Sequence, residues 1–92
     1  DEHTTLHIAA QNGRIESMKR LIECGVKINA ENGQKNTALH LAAEAGNAEC
    51  VRLLIEKGAD VNAKNRKEKT PLDRAKTDEI QQMLQKAMKE KK

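Results

Sequence analysis

The sequence predicts an all-α fold, a solenoid of helix-turn-helix units joined by hairpin-like loops, and three observations carry that expectation. Segments beginning at Thr4, Thr37 and Thr70 repeat at an offset of 33 residues, with 14 of 33 positions identical between the first two copies. A period in that range marks stacked supersecondary units. The chain has no Phe, Tyr or Trp, so its core must be aliphatic, which suits packed helices better than sheets that draw on aromatic residues. In the middle copy Ala48, Val51, Leu54 and Ile55 recur at three- and four-residue spacing, the stripe of an amphipathic helix.

Each element follows in order. Thr37 can cap a helix through its hydroxyl, and Thr4 begins the first copy in the same way. Pro71 occupies the next position in the third copy, where its missing N–H costs nothing. The middle copy's first helix should stop near Gly46, a residue free to adopt the left-handed conformation, and Asn47 should cap the second helix, which ends at Gly58. "ADVNAKNRKEK" is polar and rich in turn formers, hence an extended, hairpin-like connection. In the third copy "TPLDRAK" joins "TDEIQQMLQKAM" after a connection about four residues shorter, and Ile80, Met83, Leu84, Ala87 and Met88 mark one helix face. One domain over residues 1–92 is expected, with repeats at about 4–36, 37–69 and 70–88 and a basic tail at 89–92.

The ends of a stack must turn polar. Ser17 and Arg20 stand where the second copy has Cys50 and Leu53, and Asp73 and Arg74 replace His40 and Leu41. The third copy therefore reads as a shortened closing repeat. The first end is less fully closed, which leaves room for further repeats before Asp1. The inequality of the copies favours a natural sequence over a built scaffold.

"TTLHIA", "TALHLA" and "TPLDRA", with "GVKIN" and "GADVN" closing the first two second helices, resemble the ankyrin repeat. The resemblance extends over nearly all of residues 4–88. It departs where Thr5 and Ala38 replace proline, where Asp73 and Arg74 replace His-Leu, and where Lys35 and Glu68 replace the glycine usual before the signature. It implies a structural role for His7 and His40, the imidazole bonding both its own helix cap and the adjoining connection. It also implies a surface that binds proteins through hairpin tips and first-helix faces. Carried over residue by residue, that surface is Gln11, Asn12, Glu31, Gly33, Gln34, Asn36, Glu44, Ala45, Lys64, Arg66, Lys67 and Lys69. An area of roughly 500 to 800 Å² on this side would sit at or below the usual interface size.

Catalysis is not expected. One histidine per repeat is what repetition of a structural part produces, whereas a catalytic imidazole needs an unlike partner beside it. His3 and His7 have metal-like spacing without a third ligand. Asp73, Asp78 and Glu79 suit helix starts, and Ser17 and Cys50 are expected to face the layer between repeats. Neither a P-loop nor a zinc framework is present. No cofactor or metal is expected. Cys24 and Cys50, too few for a disulfide framework, suggest a reducing interior, cytoplasmic or nuclear. No apolar run approaches membrane-spanning length and no signal peptide is visible, so neither a membrane nor an oligomer is expected.

Charge is uneven. Residues 1–63 carry 7 basic and 9 acidic side chains, and residues 64–92 carry 10 and 5. Without aromatic stacking platforms, the basic third reads as a solvated tip and tail before it reads as a nucleic-acid or anionic-surface binder. The expected function is a non-catalytic protein-interaction module. A regulatory or targeting fragment of a larger enzyme or channel is the second reading.

Overall fold

The computed structural model describes residues 2–90, with side chains for 5–89. Six helices run in sequence: α1 (Glu2–Asn12), α2 (Ile15–Glu23), α3 (Ala38–Ala45), α4 (Ala48–Glu56), α5 (Pro71–Arg74) and α6 (Asp78–Glu90). No strand occurs among the described residues. The odd-numbered helices pack side by side as an inner row, and α2, α4 and α6 back them as an outer row. The expected all-α solenoid of antiparallel helix pairs is what the structure shows.

Local chemistry explains the middle copy. Thr37 sits in extended backbone before α3, its Oγ1 accepts the His40 N–H, and His40 Nδ1 accepts the Thr37 N–H at 3.1 Å. Two otherwise orphaned helix N–H groups are thereby satisfied. Gly46 ends α3 in the left-handed conformation with φ 81°, which a glycine adopts without a Cβ clash. Between the rows lie Leu6, Met18, Leu39, Val51, Leu54, Ile80 and Leu84, each essentially inaccessible. The apolar stripe is centred on Val51 and Leu54; Ala48 and Ile55 flank it half-buried, and Leu53 joins it.

Five sequence expectations need correction. Helix α1 begins at Glu2, so position 4 falls inside the helix and not at its start. Asn47 makes no cap bond with its amide group; its Nδ2 donates instead to Ala10 O at 3.0 Å and Gln11 O at 3.2 Å, tying the second copy to the end of α1. Ser17 is exposed while Cys50 is buried, because Cys50 stands near Gly13 and Ile15 of the first copy and the equivalent face of α2 looks away from the stack. The shortening of the third copy falls in its first helix, four residues against eight in α3, and not in the connection. Ala75 turns extended, and Lys76 N–H donates to Ala43 O at 3.2 Å, drawing the backbone out of the helix early. Finally, α6 continues through Lys89 to Glu90, past the expected start of the tail; Lys91 and Lys92 lie outside the described residues.

The connections close as hairpins without becoming strands. Asn32 N–H donates to Asn36 O at 3.0 Å and Lys35 N–H to Asn32 O at 2.9 Å; Asn65, Lys69 and Glu68 repeat the pair at 3.0 and 2.9 Å. Lys35 and Glu68 both take φ 63°, the left-handed conformation that the missing glycine would supply. A side chain held there costs about 1 to 2 kcal/mol, partly offset by glycine's greater flexibility when unfolded. Lys35→Gly and Glu68→Gly should therefore each stabilise the fold by about 0.5 to 1 kcal/mol in urea denaturation; a loss on either substitution would contradict the strain.

Candidate binding groove

The inner row and the hairpin tips meet at an angle, and an open groove of about 640 Å³ runs along that junction. Its floor is a file of equivalent positions, one per copy: Ile8, Leu41 and Arg74, each the residue between His (or Asp73) and Ala in the repeated signature. Ile8 is 52 % exposed, the only large apolar side chain so exposed among the described residues, and Leu41 is half-buried. Gln11 and Glu44 form one wall, and Glu31, Asn32, Gly33 and Gln34 at the hairpin tip form the other. Arg74 and Glu44 make an ion pair, which leaves Glu31 as the unneutralised charge of the groove.

Buried polar side chains hold the walls in place. His7 Nε2 lies 3.0 Å from Asn36 O and His40 Nε2 lies 2.8 Å from Lys69 O. Because His40 Nδ1 accepts from Thr37 N–H, its proton sits on Nε2 and is donated to Lys69 O. Each imidazole thus bolts an inner helix to the following hairpin; the bond to the helix's own cap, also implied, is seen at His40, while the side chain of Thr4 lies outside those described. Burial pushes the His40 pKa below 6.5. Asp73 reproduces the cap, accepting Thr70 N–H at 3.0 Å, but is too short to reach a further hairpin; this bond, ahead of its other partners Lys69 and Lys64, lowers its pKa. The hairpins are also joined to each other: Asn65 Nδ2 donates to Asn36 Oδ1 at 2.9 Å, Arg66 N–H to Gln34 O at 3.0 Å, and Arg66 Nε–H to Gly33 O at 2.7 Å.

Of the residues carried over from the sequence, Gln11, Glu31, Gly33, Gln34, Asn36 and Glu44 line this groove. Arg66 and Lys67 line a smaller depression beside Gln34 and Arg74. Lys64 and Lys69 are near Asp73, and Asn12 and Ala45 are exposed but line neither depression. Asn36 lines the groove but is only 6 % exposed, and its carbonyl, N–H and Oδ1 are engaged by His7, Asn32 and Asn65. Its polar groups hold the scaffold. The floor residues Ile8 and Leu41 were missed; the one signal available was weak, since theirs is only one of three places at which the signature varies between copies.

The cysteines are both free, Cys24 exposed and Cys50 buried. Burial raises the Cys50 pKa, with Glu49 adding to it, which disfavours the reactive thiolate. A thiol reagent should label Cys24 in the native protein and Cys50 only after denaturation; equal native labelling would show that α4 opens readily. His3 lies outside the described side chains. No helix among the described residues is long and apolar enough to cross a membrane.

Stacked helix pairs, histidine bolts to successive hairpins and a groove along their junction define a helical-repeat scaffold. A family model described as ankyrin repeats, in three copies, matches residues 1–90, and the chain belongs to the ankyrin repeat family. Members of that family are in general protein–protein interaction modules. Comparison with curated proteins returned no match.

Proposed function

We propose that this protein is a non-catalytic module that binds an extended segment of a partner protein in the groove over Ile8 and Leu41. The observation that carries it is the half-open apolar file on the groove floor, walled by side chains that can hydrogen-bond a peptide. An apolar partner side chain would cover Ile8 and Leu41, Gln11 and Gln34 would pair with partner polar groups, and Glu31 favours a cation. Apolar contact at the centre with polar groups at the rim is the usual division of labour in such interfaces. A role as a regulatory or targeting portion of a larger protein is compatible with the same contacts. The nucleic-acid reading is weaker: Lys64 and Lys69 lie near Asp73, and Arg66 is tied to Gly33.

A photoreactive side chain at position 8 tests the proposal against one at Arg52 on the outer row. Adducts should form from position 8 and disappear when Leu41→Arg is added, while stability changes by no more than about 0.5 kcal/mol. Adducts from Arg52 alone would sink the groove reading. Adducts to nucleic acid, weakening steeply with salt, would favour the basic-surface alternative.

A further inference from the structure

Gly33 is needed neither for conformation nor for space. Its φ is not positive, a Cβ built on it meets nothing within 4 Å, and the equivalent position of the next hairpin holds Arg66. Yet Gly33 follows Asn32, and an asparagine followed by glycine is open to attack on its carboxamide by the next backbone nitrogen, because no Cβ hinders the approach.

We propose that Asn32 is a site of spontaneous deamidation in the folded protein. The Gly33 N–H is exposed at the tip and makes no hydrogen bond among the described residues. The carboxamide oxygen of Asn32 is polarised by two backbone N–H groups, Gln34 at 2.9 Å and Asn36 at 3.0 Å. Negative charge develops on that oxygen as the nitrogen adds, and two aimed donors stabilise it. In the reaction solvent base removes the Gly33 amide proton, the nitrogen pair forms a bond to Asn32 Cγ, and solvent returns a proton to Nδ2 as the Cγ–Nδ2 bond breaks and ammonia leaves. Water then opens the cyclic imide at one of its two carbonyls, leaving aspartate or an isoaspartyl linkage. No oxidant or reductant is involved.

Two internal comparisons narrow the claim to Asn32. Asn12 also precedes a glycine, but it ends α1, where Gly13 N–H bonds Ala10 O at 3.4 Å and Asn47 clamps the helix end. Asn65 has the same polarised carboxamide, bonded by Lys67 and Lys69 N–H at 2.8 and 3.1 Å. There the next nitrogen belongs to Arg66 and is itself bonded to Gln34 O at 3.0 Å. Aspartate at position 32 can still accept both N–H bonds, so the hairpin persists while the groove wall gains a negative charge beside Glu31. Only the effect on a partner rests on the groove reading; the chemistry does not.

The test incubates the protein in warm, mildly alkaline buffer and follows each asparagine by peptide mass mapping, with an isoaspartyl methyltransferase assay for the second product. Asn32 should convert at least roughly tenfold faster than Asn12 in native protein, because Asn12 reacts only through local opening of α1. In urea the two should approach within roughly threefold of each other, their local sequences being alike once structure is lost. Gly33→Arg should slow Asn32 to the Asn65 rate with unchanged helical circular dichroism. Conversion of Asn12 at the native Asn32 rate, or of Asn32 undiminished in the folded Gly33→Arg variant, would overturn the proposal.

Discussion

Replacing His40 by alanine is expected to lower the unfolding free energy by about 2 kcal/mol, because the buried Thr37 N–H then loses its acceptor and α3 loses its bolt to the next hairpin. Lys69 O would still accept from Asn65 N–H, so the penalty falls mainly on Thr37. The loss should depend on pH. Burial, more than the nearby Arg74 charge, lowers the folded-state pKa of His40 from its ordinary 6.5, against the opposing bond to Lys69. The unfolded state therefore takes up the proton first as pH falls. Stability from neutral His40 is whole above 6.5 and is lost progressively as pH drops through that value toward the lower folded pKa. Urea titrations at stepped pH should show a destabilised variant with a shallower decline through this window. A variant whose acid decline matches that of the parent would show that His40 does not carry it.

The second large effect is expected at Leu54. This side chain is fully buried on α4, which packs against both α2 and α6. Its equivalent on α6, Leu84, is equally buried, but α6 has an outer-row neighbour on one side only among the described residues. In a linear array stability is a sum over neighbouring interfaces. Leu54→Ala should therefore cost about 3 to 4 kcal/mol and Leu84→Ala about 2 kcal/mol, both through cavity formation. Equal losses would indicate that the three copies unfold as independent units. A larger loss at Leu84 would mean that the closing helix, not the middle copy, limits stability.

What could be read from the residues alone was whatever repeats or acts locally. The 33-residue offset, the Thr37 cap, the left-handed Gly46 and the Val51–Leu54 stripe depend on neighbours within a turn or two along the backbone, and periodicity exposes them directly. The two histidines were legible for the same reason, since each copy repeats the part with its bonding distance built in. What only the tertiary structure decided was where unlike copies meet. Asn47 looks like a cap in sequence, yet its amide bonds the preceding copy, because stacking brings Ala10 and Gln11 O within reach. Asn36 looks like a free tip residue, yet the neighbouring hairpin and His7 bury it. The groove floor formed by Ile8, Leu41 and Arg74 became visible only with the inner helices side by side. The residues that repeat make the scaffold, whereas which of the varying positions faces the groove, Ile8, Leu41 and Arg74 rather than the buried Ala38 and Pro71, was decided by how the inner helices pack.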